Sequence, residues 1–151
     1  MKMENFKYDN FKNLYGIELP VLNSNLIPDE LRKGLSESAL KLGYDNIYFY
    51  LENVGEKVSE FNASEGSFSF RRLISHLSDC TPPDLNIIWD LNSSHMDSIP
   101  FDLFCQYFDD IWYEIIDDII VYNLDCNLLI FIRHDGCIFV LQDLKIYLKA
   151  L

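Results

Sequence analysis

Positive charge is what this chain has least of. Its 151 residues carry 12 Lys and Arg against 24 Asp and Glu, a formal net charge of −12. A field of that sign repels phosphate backbones and anionic headgroups, which argues against an electrostatic binder of nucleic acid or of a membrane surface. Long apolar runs are missing too: nothing approaches the ~20 unbroken apolar residues that span a bilayer. The first ten residues lack the apolar core of a signal peptide. The expectation is a cytoplasmic protein.

Catalytic signatures are equally scarce. There is no G-x-S-x-G, no H-E-x-x-H, no glycine-rich phosphate loop and no C-x-x-C, and the three histidines, His76, His95 and His134, stand far apart. His76 and Cys80 share a helical spacing, but without a second pair they do not make a zinc site. The four cysteines, Cys80, Cys105, Cys126 and Cys137, are expected as thiols, because a chain of this length builds a core without staples. No cofactor or metal is expected. Asp109-Asp110 and Asp117-Asp118 are of the residue type that ligates Mg²⁺ in a nuclease, where one or two carboxylates join waters and phosphate oxygens. Between Asp79 and Asp135, however, the only formally positive side chain is Arg133, so nothing local is placed to hold a phosphate. The expectation is a protein without catalysis, with a metal-dependent nuclease as the minor alternative.

What the chain has is core. Apolar residues make up 49%, and 2 Trp, 9 Tyr and 11 Phe exclude a disordered or low-complexity chain. The length suits one domain. Residues 1–25 mix aromatics with Lys, Asp and Asn without a clean period and read as an irregular arm packing through Phe6, Tyr8, Phe11 and Tyr15. A helix is expected from Pro28, with Leu31, Leu35, Ala39 and Leu42 on one stripe and Gly43 ending it. Residues 47–51 alternate and read as a strand with Ile47, Phe49 and Leu51 on one face. Residues 52–66 read as a loop. Ser67 or Ser69 should cap a second helix with stripe Phe70, Leu73, Ile74 and Leu77, which Thr81-Pro82-Pro83 stops.

A short strand is expected over residues 86–91, then a polar loop through Ser93, Ser94 and His95. Pro100 should open a third helix whose stripe Phe101, Phe104, Phe108, Ile111, Trp112 and Ile115 is buried throughout. The period then changes. Residues 118–124, 128–133 and 137–141 are apolar runs split by turn residues and read as a three-stranded antiparallel meander, followed by a short amphipathic piece carrying Leu144, Ile146, Tyr147, Leu148 and Leu151. The expected fold is a single α+β domain over residues 1–151, its helices packed on an antiparallel sheet with a C-terminal meander.

The acidity is regional. Residues 76–151 hold 13 acids and 3 bases, a net −10, while residues 1–75 come to only −2. Eight acids between Asp97 and Asp125 occur without a Lys or Arg. On one continuous helix, Asp110 and Glu114 would repel at i,i+4, and Asp109, Asp110 and Glu114 would sit near the C-terminal end, where the dipole disfavours anions. Stability alone would prefer lysines there. A solvated acidic face serves solubility; the functional alternative is a surface awaiting a basic protein, with Tyr107, Tyr113 or Trp112 as an aromatic contact. Trp112 also lies in the core stripe.

The segments Phe108-Asp-Asp-Ile-Trp-Tyr, Asp117-Asp118-Ile-Ile-Val-Tyr and Leu128-Leu-Ile-Phe-Ile-Arg-His-Asp-Gly-Cys-Ile-Phe together resemble small acidic immunity proteins of bacterial polymorphic toxins, contact-dependent growth inhibition systems above all. The resemblance covers residues 104–140, roughly a quarter of the chain. It departs from the family pattern in having no Pro before the second Asp pair and Phe131 where that pattern has Trp. It implies a protein that binds and neutralises a cognate toxin, often a nuclease, carried at the C-terminus of a large secreted protein. The toxin-binding residues expected on this reading are Asp102, Asp109, Asp110, Tyr113, Glu114, Asp117 and Asp118. The rival from another class is a small acidic secretion chaperone, which would expose apolar patches and dimerise.

Overall fold

The protein is seen in a computed structural model that describes residues 2–18, 30–91 and 96–148, with side chains from residue 6 onward. Pro28 and Asp29, the polar loop at Ser93, Ser94 and His95, and Leu151 lie outside the described residues. In chain order the elements are α1 (Lys2–Tyr15), α2 (Glu30–Lys41), α3 (Ile47–Val54), β1 (Glu56–Lys57), α4 (Phe70–Leu77), β2 (Asp84–Ile88) and β3 (Met96–Pro100). There follow α5 (Phe101–Gln106), α6 (Phe108–Ile111), β4 (Ile119–Asn123), β5 (Leu128–Ile132), β6 (Ile138–Leu141) and a closing 3₁₀ turn (Leu144–Tyr147). No described helix is long and apolar enough to cross a membrane.

The strands form one antiparallel sheet in the order β1-β6-β5-β4-β2-β3, so the fold is α+β and β4 to β6 are the expected meander. Its central strands are apolar on both faces because both faces are covered. Ile119, Val121 and Ile130 point into a core shared with Phe11 of α1, the stripe of α4, and α5 and α6. Ile120, Tyr122 and Phe131 point the other way, onto Leu31, Leu35 and Ala39 of α2 and Ile47, Tyr50 and Leu51 of α3. The first core is aromatic: the Phe70 ring lies 4.6 Å from Phe104, Phe104 5.7 Å from Phe108, and Phe108 stacks on Trp112 at 6.0 Å. At the β5–β6 hairpin, Gly136 adopts φ +90° with Asn62 so close that a Cβ would overlap it, which explains glycine there.

Several expectations need correction. Residues 2–15 are a helix, not an irregular arm. Its buried stripe contains Lys7 beside Phe11, and a lysine on the inner face hides the apolar period. The strand expected at 47–51 is helix α3, capped by Asn46, whose side chain accepts from Phe49 N at 3.0 Å. Ile47, Tyr50 and Leu51 are its buried residues, at spacings of three and four, while Phe49 is half exposed. The third helix is broken at Tyr107, whose backbone (φ −112°, ψ 28°) leaves the helical region, and α6 ends at Ile111. Ser69 does cap α4, accepting from Arg72 N at 3.3 Å. Finally, Cys80 and Cys126 form a disulfide with Cα atoms 5.6 Å apart, where four thiols were expected. The β4–β5 turn, with Cys126 N bound to Asn123 Oδ1 at 2.9 Å, presents Cys126 to the segment after α4; Cys105 and Cys137 are free.

Candidate partner-binding face

The face begins inside the protein. Lys7 is fully buried, and its ammonium donates to the Ile111 carbonyl and to Asp117 Oδ2, each at 2.5 Å. It lies 4.6 Å from the centre of the Trp89 ring and 4.9 Å from that of Tyr113, a cation–π cage on two sides. Beside it Asp97, also buried, accepts from Trp89 Nε1 at 2.7 Å and from the Tyr8 hydroxyl. This polar core ties α1 to α6 and to the turn that follows.

Asp117 shapes that turn. Its Oδ2 also accepts Tyr113 N at 2.7 Å, its carbonyl accepts Trp112 Nε1 at 3.0 Å, and its own N–H reaches the Tyr113 carbonyl at 3.0 Å. Ile115 N donates to the His134 carbonyl at 2.7 Å. Held at both ends, residues 113–117 fold back sharply and Ile115 takes φ +75°. A β-branched residue rarely adopts that region, which costs it about 1–3 kcal/mol and persists only where the surroundings impose it. Ile115, expected in the buried stripe, is 80% exposed, and Ile116 is 60% exposed.

The expected site residues divide accordingly. Asp109 and Glu114 are exposed and, among the described residues, neither makes an ion pair or side-chain hydrogen bond. With Glu65, Trp112 and Tyr113 they line an open cleft of about 330 Å³ between the 63–66 loop and the end of α6. Asp110 accepts from the Tyr15 hydroxyl at 2.6 Å, and this bond raises the phenol's pKa. Tyr113 is half buried, edge-on to Phe6 and bound at its hydroxyl by Asn10 Nδ2 at 3.2 Å. Asp102 stands on α5, paired with Arg71 at 2.9 Å. Asp118 accepts from His134 N at 2.7 Å and lies 2.9 Å from its Nδ1. The Asp118 carbonyl accepts from Tyr48, whose phenol is pushed up to about 12, first by burial and then by the Asp118 charge.

Asp117 is the correction. It is 7% exposed and faces Lys7, so it does not belong to the outward face. The cation that the sequence around the Asp pairs lacks comes from 110 residues away. Its partner Asp118 is turned to His134, so the two carboxylates of this pair serve separate contacts. Among the described residues no group of three or more His, Cys, Asp or Glu is gathered to hold a metal ion. The other nearby cation, Arg133, is taken up by Asp135 at 2.7 Å and Glu52 at 3.0 Å.

The break at Tyr107 also reverses an energetic expectation. Asp109 and Asp110 lie on the single turn of α6, too short to carry an appreciable dipole, and Glu114 is on no helix with Asp110. The local penalty expected for these acids is absent. Tyr107 packs against Phe11 and Tyr15, and of the two aromatics that line the cleft Trp112 is otherwise buried in the core while Tyr113 is only half buried. Comparison of the chain with protein-family models, with curated proteins and with solved structures finds no match in any of the three.

Proposed function

We propose that this protein is a binding protein of the immunity type, which neutralises a basic toxin domain by covering its substrate cleft with the acidic face around α6. The observation that carries the proposal is the pair Asp109 and Glu114, exposed and without an ion pair or side-chain hydrogen bond among the described residues, on the walls of a cleft that a Lys or Arg side chain fits by charge. A carboxylate field of this kind raises association rates and fixes docking register. A toxin that binds nucleic acid offers the complementary basic surface, which makes a nuclease the fitting target. The protein itself would act without catalysis, cofactor or metal, and would bind neither nucleic acid nor membrane. Its place of action would be the cytoplasm, so the fold must hold with Cys80 and Cys126 reduced as well as bonded.

The test, where the reading frame immediately upstream encodes the C-terminus of a large secreted protein, is co-expression with that C-terminal domain. A 1:1 complex that copurifies and abolishes that domain's nuclease activity is expected. An active domain that ignores the protein contradicts the proposal. The secretion-chaperone reading is favoured by one observation, the exposure of Leu40, Leu42 and Phe49 around α2 and α3. It predicts a dimer, where the immunity reading predicts a monomer in light scattering.

A further inference from the structure

Ile115 and Ile116 are two adjacent apolar side chains in water, at the tip of a turn whose backbone is held in a conformation that isoleucine disfavours. The turn is not loose. Asp117, clamped by Lys7, bonds Tyr113 N from one side, and the His134 carbonyl takes Ile115 N from the other. Glycine at position 115 would relieve the strain and remove an exposed apolar group, so neither solubility nor stability accounts for isoleucine there. Glu114 precedes it in the chain, and Glu114 lines the neighbouring cleft together with Asp109. Protein interfaces have this plan: an apolar anchor that fills a pocket in the partner, inside a charged rim that water reaches.

We infer that Ile115 and Ile116 are the apolar anchor of the acidic face, seated in an apolar pocket of a basic protein whose rim of Lys and Arg meets Asp109 and Glu114. This rests on the reading of that face as a docking surface for a basic partner, and adds which residues hold the complex together. The acids govern how fast the partner arrives, whereas the isoleucines govern how long it stays.

The experiment places photoreactive benzoylphenylalanine at position 116 of the full chain in the producing cell, and in a second strain at position 40, an exposed site on α2 across the sheet. Cross-linked proteins are identified by mass spectrometry. Position 116 should capture one protein domain with an isoelectric point above about 9, and position 40 should not. That domain, purified, should dissociate about thirtyfold faster or more from Ile115→Gly and from Ile116→Ser, with association within about threefold of wild type. Ile115→Gly should melt at or above the wild-type temperature, which separates lost contact from lost fold. Capture of a basic domain at position 40 instead, or unchanged dissociation of both variants, overturns the inference and leaves the basic-partner reading standing. Capture of a second copy of this chain, of an acidic protein, or of nothing at either position overturns both.

Discussion

Lys7→Ala should cost this protein about 3–5 kcal/mol, a large part of the 5–15 kcal/mol that holds a typical domain together. The size follows from what the lysine leaves behind. Asp117, 7% exposed, would keep the Tyr113 N–H at 2.7 Å on Oδ2 but lose the ammonium, and the Ile111 carbonyl would lose its donor. An uncompensated buried carboxylate carries most of the penalty. Asp117→Asn alone takes this carboxylate from the ammonium, whereas Lys7→Met with Asp117→Asn removes both charges of the pair and keeps the stem's bulk. That double variant should therefore be more stable than the sum of Lys7→Met and Asp117→Asn, each measured alone, by about 1–3 kcal/mol. The assay is urea unfolding followed by tryptophan fluorescence. The chain's two tryptophans both border the pair, Trp89 as one wall of the lysine cage and Trp112 through its bond to the Asp117 carbonyl. A cost below about 1 kcal/mol for Lys7→Ala, with Lys7→Met and Asp117→Asn strictly additive, would refute a buried ion pair as the clamp on α1 and on the 113–117 turn.

The Cys80–Cys126 disulfide closes a separation of 46 residues, which in the chain-entropy estimate contributes about 4 kcal/mol. Reduction should lower the melting temperature by roughly 8–16 °C for a domain of this size and leave a cooperative transition; loss of the transition at 25 °C would show that the two cores do not suffice. Arg133 forks onto both oxygens of Asp135, at 2.9 and 2.7 Å, and holds that carboxyl well below the usual carboxylate range. A depressed pKa of this kind stabilises above about pH 4, the unfolded value, and the contribution fades as pH falls toward the folded one. The stability gap between wild type and Asp135→Asn should thus be largest near neutrality and shrink below pH 4, and a gap independent of pH would refute it. On the other side of the sheet, a Cβ at Gly34 would lie 1.9 Å from the Tyr147 carbonyl oxygen, so Gly34→Ala must push the closing 3₁₀ turn off α2. Thermal melts should show a loss where an ordinary helical Gly→Ala change gains about 1 kcal/mol.

The elements that the sequence makes legible are those whose buried stripe is wholly apolar. Phe70, Leu73 and Ile74 behind the Ser69 cap announce α4, and the apolar runs at 119–123 and 128–132 announce the meander. Where a buried position is polar, the pattern fails: Lys7 interrupts the inner face of α1, and Asp97 sits buried within β3, a strand with no expectation attached to it. The run at 47–51 satisfies both periods, and only the Asn46 cap and the burial of Tyr50 in place of Phe49 decide for a helix. The outward acids Asp109 and Glu114 were visible as local charge. The roles of Asp117 and Ile115 were not, because each is set by a residue distant in the chain, Lys7 for one and His134 for the other.

The central claim is that the carboxylates of α6 and its exit turn steer a basic partner onto this face. Stopped-flow association with a basic domain that the protein binds tests it most directly, comparing wild type with Asp109→Lys/Glu114→Lys from low to high salt. Among the described residues these two positions have no ion pair or side-chain hydrogen bond to disturb, unlike Asp110, which holds Tyr15. Association of the double variant should be slowed at least about tenfold at low salt, the two proteins converging as ionic strength rises and screening shortens to a few ångströms. Equal association rates at every salt concentration, in a double variant that melts like wild type, would contradict it.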